Sequence, residues 1–191
     1  HLLRTIHYNT DDAATIGEQV DQLMSIAPSA IDAIQLNVRW PSPYLLEGIR
    51  KKYPDLRVIL QIGAGALRDV TDREDIRIGS ALRPYCGVID DFLIDPSGGK
   101  GEPLDVWRAF ACLADPEIPR QMCPGVAGGR DGDNVRELKG LMRRYQGAIN
   151  IDAEGRLRTP RVGDGGDHLD LTKADRFLEA GVLLANEMFL F

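Results

Sequence analysis

Six short apolar segments alternate with longer amphipathic segments along the 191 residues of this chain. Apolar runs of this length are typical of strands buried on both faces, and the amphipathic stretches between them are typical of helices that cover a sheet. The alternation predicts repeated strand–helix units, an α/β protein with a parallel sheet. The predicted strands are 2–7, 30–36, 57–62, 92–94, 121–126 and 148–151, and the predicted helices are 9–27, 42–52, 104–113, 133–145 and 171–189, with one or two short helices within 69–82.

The length and composition favour one domain over residues 1–191 and a small molecule as its partner. A net charge of -6 without a dense basic stripe argues against binding to nucleic acid or to an anionic membrane surface. No apolar run approaches the roughly 18 residues that a membrane-spanning helix needs. The three cysteines lack paired or metal-type spacing and the three histidines are scattered, so we expect a cytoplasmic protein without a metal site.

The segment 92–105 is the strongest candidate for a functional site, because an apolar strand there delivers Asp95 into a glycine-rich loop. In parallel β/α proteins the carboxyl ends of the strands open onto the loops that bind ligands. Gln35, Asp152 and the pair Gly128-Gly129 also stand at predicted strand ends, which favours one shared pocket. The alternative is that Asp95 caps a turn and that Gln35 bonds to a neighbouring loop. An open sheet wound on both faces and part of a closed eight-stranded barrel both fit this pattern.

Four segments, taken in order and spacing, resemble those of a known family. They are Ile31-Asp32-Ala33-Ile34-Gln35-Leu36; Leu93-Ile94-Asp95 with Gly98-Gly99-Lys100-Gly101 and Asp105-Val106-Trp107; Val126-Ala127-Gly128-Gly129 with Asp133-Asn134-Val135; and Ile149-Asn150-Ile151-Asp152. The chain resembles phosphoribosylanthranilate isomerase, an enzyme of tryptophan biosynthesis, from that family's third strand onward. The resemblance implies a TIM (β/α)8 barrel of which this chain supplies about six units, with the first two missing. Six parallel strands cannot close an eight-stranded barrel, so we expect further sequence before His1.

The resemblance also implies an activity, the Amadori-type isomerisation of a phosphorylated ribosylamine by acid–base catalysis, without a redox cofactor or metal. Asp95 matches the family's general acid. The family's general base is a cysteine on the first strand, in a segment that this chain lacks. Backbone N–H groups of the loops after the seventh and eighth strands hold the phosphate in the family. The substrate and phosphate contacts expected here are those of Gln35, Gly99, Gly128, Gly129, Asp152 and Gly155.

The loop after the last predicted strand departs from the family, since it contains Asp152-Ala153-Glu154 where small hydroxyl residues usually precede a glycine. A carboxylate facing a phosphate is repelled, so Glu154 must turn away or the ligand differs, and Arg156 or Arg158 could reach the anion instead. The alternative function is therefore a diverged barrel that binds a small anionic or phosphorylated metabolite without isomerising it. An open α/β binding domain is a third hypothesis, and a homodimer remains open.

Overall fold

The computed structural model describes residues 3–27, 29–71, 77–96, 106–160 and 166–188. Within these ranges the chain is a mixed α/β protein whose six neighbouring strands follow the order β1-β2-β3-β4-β5-β6, with a separate two-stranded sheet. The strands are β1 (Thr5–Asn9), β2 (Ala33–Asn37), β3 (Arg57–Gly63), β4 (Asp91–Asp95), β5 (Cys123–Val126), β6 (Asn150–Ile151), β7 (Arg158–Pro160) and β8 (Asp167–Leu169). The helices are α1 (Ile16–Ile26), α2 (Pro43–Lys52), α3 (Ala64–Thr71), α4 (Ile78–Leu82), α5 (Val106–Leu113), α6 (Lys139–Arg144) and α7 (Leu171–Asn186).

The chain divides into two compact units, unit 1 (His1–Ile94 with Ala114–Cys123) and unit 2 (Asp95–Leu113 with Pro124–Phe191). In unit 1, β1 pairs with β2 and β2 with β3, both in parallel. Apolar side chains of β2 and β3 are buried, among them Leu36 and Leu60, and α1 and α2 pack against each other. β1 alternates exposed and half-buried residues, in contrast to the mostly buried β2 and β3. β1 is therefore the less covered strand of this unit.

Ion pairs join the amino ends of the strands in unit 1. Arg57 at the start of β3 donates to both carboxylate oxygens of Asp91 at the start of β4, at 2.5 and 2.7 Å. Arg4 makes the same two-pronged contact to Asp32, at 2.8 and 3.0 Å. Asp91 is fully buried, whereas the side chain of Arg57 is 42% exposed. A buried carboxylate needs such a partner, so the amino ends of β3 and β4 are held together.

In unit 2, β5 and β6 pair in parallel, with Gly125 opposite Asn150 and Val126 opposite Ile151. Short 3-10 turns follow each of these strands, at Val135–Leu138 and Gly155–Leu157, and α7 packs against both turns. Asp170 caps α7 by accepting hydrogen bonds from the backbone N–H groups of the first turn. Leu184 of α7 is fully buried, whereas Leu178 and Val182 of the same helix are exposed, so α7 contributes one residue to the core and is otherwise largely open to solvent.

The predicted strand–helix order is confirmed for all six sheet strands, although several bounds differ. The segment 69–82 contributes to two helices, α3 and α4. The helix predicted at 133–145 begins later, as a 3-10 turn, because the side chain of Asp131 binds the N–H groups of residues 133 and 134 in a turn. The stretch 152–170, predicted as one long loop, contains the antiparallel pair β7–β8. No helix among the described residues is long and apolar enough to cross a membrane.

Candidate functional site

Asp95 ends β4 and is buried, with 3% of its surface exposed. Alternation along the strand puts Asp95 on the same face as Asp91 and Leu93, while Phe92 and Ile94 occupy the opposite face. All five side chains are buried, as expected for a strand covered on both faces. The carboxyl group of Asp95 thus lies at the carboxyl end of a buried strand, the edge at which α/β sheets bind their ligands. The predicted contact Gly99 lies outside the described residues.

The loop after β5 contains two consecutive glycines in the left-handed region, Gly128 with φ 111° and Gly129 with φ 54°. Both are buried, and residues other than glycine rarely adopt this backbone. The carbonyl of Gly128 accepts a hydrogen bond from Arg130 Nε at 3.1 Å, and that of Gly129 accepts one from Asn134 Nδ2 at 2.8 Å. In a trans peptide the N–H points opposite to the C=O. The N–H groups of Gly129 and Arg130 therefore point away from these two side-chain donors.

Arg130 is a buried cation beside this glycine pair, with only 2% of its surface exposed. Besides the carbonyl of Gly128, its guanidinium binds the carbonyl of Asn134 at 3.3 Å and Glu137 Oε2 at 2.9 Å. Sequence reasoning did not select Arg130. Its signal was the Gly-Gly-Arg order directly after a buried strand, but burial of the arginine side chain cannot be read from that order.

Asp131 connects the loop after β5 to the turn after β6. Its Oδ1 accepts from the backbone N–H groups of Asp133 at 2.9 Å and Asn134 at 3.1 Å, and its Oδ2 accepts from Arg156 at 3.0 Å. Burial alone would raise the pKa of the Asp131 carboxyl, but the hydrogen bonds from Arg156 and the two backbone groups hold that pKa below its usual value. The Asp131 carboxylate therefore stays charged and links the loop after β5 to the turn after β6.

The loop after β6 begins at Asp152, whose N–H donates to the carbonyl of Val126 at 3.0 Å. Asp152 is half-buried, and Gly155 opens the 3-10 turn without a left-handed φ. Asp152 therefore lies beside Val126 at the end of β5, the strand that the glycine pair follows.

The charged residues of this loop face one another. Glu154 lies 3.9 Å from Arg158 Nε, Arg158 also binds Asp167 at 2.9 Å, and Arg156 binds Asp131. Carboxylates thus engage both arginines that the sequence left open as anion ligands, and Glu154 has a cation beside it.

In unit 1, Gln35 Nε2 donates to Gln61 Oε1 at 3.0 Å. Gln61 is buried, with 3% exposure. Gln35 is half-buried and is the register partner of His7 on the neighbouring strand β1. The pair satisfies polar groups of two neighbouring strands, and because Gln61 lies within β3 this bond is not the contact with a loop that the sequence offered as the alternative. The contact of Gln35 with a substrate stays a prediction.

Cys123 is half-buried in β5, and burial, followed by the charge of Asp91, raises the pKa of its thiol, which disfavours a nucleophilic thiolate. In the described part of the chain, no three His, Cys, Asp or Glu side chains form a group able to hold a metal ion.

No protein-family model matches this chain, and no curated protein matches it either. Among solved structures, it is similar to the octameric ribulose-1,5-bisphosphate carboxylase/oxygenase of Pyrococcus horikoshii OT3, with a TM-score of 0.59 and 14% sequence identity. The alignment covers 95% of this chain, which spans only 42% of that chain. At this identity the likeness is one of fold. Together with the strand order, it is consistent with part of a (β/α) barrel.

Proposed function

We propose that this protein isomerises a phosphorylated ribosylamine in an Amadori-type reaction similar to that of phosphoribosylanthranilate isomerase. Asp95 is the general acid, and the loop Gly128-Gly129 receives the phosphate. The observation that carries the proposal is the coexistence in unit 2 of a buried carboxyl group at a strand end and a buried pair of left-handed glycines after a neighbouring strand.

The reaction needs an acid that donates a proton to the ring oxygen as the ring opens, and a base that removes a proton from the adjacent carbon of the resulting imine. Electrons then shift to give the aminoketone, with no net gain or loss of electrons. The burial of Asp95 supports the acid role, because a carboxyl group shielded from water exchanges its proton with a bound ligand rather than with the solvent.

The glycine pair supports the phosphate role through its backbone. The N–H groups of Gly129 and Arg130 point away from the loop's own side-chain donors, and a left-handed backbone without Cβ atoms permits close approach of an oxyanion. The buried guanidinium of Arg130 lies beside these groups, and the carboxylate that pairs with it, Glu137, is exposed and therefore screened by solvent. Glu154, which would repel a phosphate, has Arg158 beside it.

The proposal also covers the general base of the reaction. The six strands are six of the eight strands of a barrel, and the family's base is carried by the first of the other two. The strand order supports this, because among the described residues β1 stands at the end of the sheet with β2 on one edge, whereas every strand of a closed barrel has a neighbour at both edges.

A second candidate is a barrel that binds a small phosphorylated metabolite without isomerising it. Asp152-Ala153-Glu154 in place of the small hydroxyl residues that usually precede the glycine in the isomerase family favours it.

The test compares Asp95→Asn with Asp11→Asn, a matched change at an exposed position, in protein that includes the two further strand–helix units. Consumption of phosphoribosylanthranilate is followed by its fluorescence. We expect Asp95→Asn to lower kcat by at least about 100-fold, the usual scale for a lost general acid, and Asp11→Asn to leave it unchanged. Equal turnover by the two variants refutes the role of Asp95. Binding without turnover by the unmodified protein supports the second candidate.

A further inference from the structure

A cationic pocket of about 380 Å³ lies in unit 2, apart from the residues assigned to the proposed reaction. We call it the α7 pocket. Four cations and two carboxylates line it together with one glycine, although the chain as a whole carries a net charge of -6. The lining residues are Asp131, Gly132, Asp133, Arg156, Arg158, Lys173 and Arg176.

Three elements bring these cations together. Arg156 belongs to the turn Gly155–Leu157, Arg158 begins β7, and Lys173 and Arg176 stand three residues apart on α7, so both lie on the same helix face. Lys173 Nζ donates to the carbonyl of Arg158 at 2.8 Å, which ties α7 to β7.

Gly132 lines the α7 pocket at the point where the loop after β5 approaches α7. A Cβ at this position would lie 2.9 Å from the backbone carbonyl carbon and oxygen of Arg176, closer than real contacts allow. The loop and the helix therefore meet backbone to backbone, and this contact sets where the side chain of Arg176 begins.

The three arginines of the α7 pocket pair with carboxylates, and these contacts leave some of their N–H donors unused by the carboxylates. Arg156 meets Asp131 through one nitrogen at 3.0 Å, and Arg176 meets Asp133 through one nitrogen, whereas a guanidinium carries five N–H donors. The Arg176–Asp133 pair is highly exposed, with 60% and 75% of the two side chains accessible, and such pairs contribute little. An anion with more than one negative charge can therefore compete for these cations.

We propose that the α7 pocket binds a phosphate group, either free as phosphate or pyrophosphate or attached to a small metabolite. Arginine forks match the oxygens of a phosphate in pairs, which favours this anion over a single carboxylate. The site is separate from the glycine pair, because residues 131 to 133 rather than Gly128 and Gly129 line it. The proposal does not depend on the isomerase reaction.

The experiment is titration calorimetry of the chain with pyrophosphate, inorganic phosphate, ribose 5-phosphate and ribose at low and high salt. We expect saturable binding of the phosphorylated compounds, none of ribose, and weaker binding at high salt because screening shortens the reach of exposed charges. Comparable binding of ribose 5-phosphate and inorganic phosphate identifies the phosphate group itself as the recognised part, whereas tighter binding of ribose 5-phosphate identifies a phosphorylated metabolite. No saturable binding of any phosphorylated compound refutes the proposal.

Variants locate the site. Lys173→Gln with Arg176→Gln, and separately Arg156→Gln, are expected to weaken pyrophosphate binding by at least about tenfold, the scale of one charge-assisted hydrogen bond. The matched control is Lys51→Gln with Arg83→Gln, which removes two exposed, ion-paired cations of unit 1 and is expected to leave the affinity unchanged.

A third variant separates this site from the glycine loop. Gly129→Ala disturbs a left-handed residue of the loop assigned to the substrate phosphate, and it is expected to leave in place the pyrophosphate binding that the α7 pocket variants weaken. Loss of binding in Gly129→Ala with full binding in the α7 pocket variants would assign the phosphate to the glycine loop and overturn the proposal. Circular dichroism of each variant checks that the fold is retained.

Discussion

The ion pair between Arg57 and Asp91 allows a prediction of which partner costs more stability of unit 1 when it is removed. Asp91 is fully buried, whereas the side chain of Arg57 is 42% exposed. Arg57→Met leaves a carboxylate in the interior without its cation. Asp91→Asn leaves a guanidinium that can turn toward water. The structure therefore predicts that loss of the exposed partner is the more damaging change.

The magnitudes follow from this asymmetry. Removing one partner of a buried ion pair costs about 3 to 5 kcal/mol, and partial solvent screening of Arg57 puts Arg57→Met near the lower end, at about 3 kcal/mol. Asp91→Asn keeps the shape and part of the hydrogen bonding, so about 1 to 2 kcal/mol is expected. Arg83→Met, which removes an exposed pair with Glu117 at 3.4 Å, is the control and should cost no more than about 1 kcal/mol.

The assay is urea unfolding followed by the fluorescence of the two tryptophans, with the free energy of unfolding extrapolated to water. The reasoning requires the order Arg57→Met, Asp91→Asn, Arg83→Met from the most to the least destabilised. If Asp91→Asn were as damaging as Arg57→Met, the cost would not come from an uncompensated buried charge, and the argument would be wrong.

Two further predictions concern the glycine loop and the edge of the sheet. Arg130→Met should lower the free energy of unfolding by about 2 to 3 kcal/mol in the same urea assay, because the buried carbonyl of Gly128 and the half-buried carbonyl of Asn134 lose this donor. A loss below about 0.5 kcal/mol would contradict this. If two further strand–helix units complete a barrel, hydrogen exchange of the β1 amides should slow in the longer protein, and unchanged exchange would speak against closure next to β1.

The order of strands and helices could be predicted because it depends on short-range patterns. The apolar runs that form β2, β3 and β4 are continuous, and the helix α2 begins at Pro43 after a serine, as the sequence predicted. The position of Asp95 at a strand end follows from the same patterns. Its burial is a property of the packed sheet, which the sequence only suggested.

The features that the sequence did not predict depend on distant contacts. The strands β7 and β8 have three residues each, too few for an alternation to be recognised, and β7 ends in a proline. Arg130 is buried because carbonyls of its own loop turn inward, which requires the left-handed glycines before it. The bond between Gln35 and Gln61 joins residues 26 positions apart, and it needs the strand register to be known.

The backbone contact of Gly132 with α7 limits how this protein can be re-engineered. A loop transplanted from another protein into the position after β5 brings its own side chains, and any Cβ at position 132 collides with the carbonyl of Arg176. Chimaeras that exchange this loop must therefore retain a glycine there or exchange the final helix along with it.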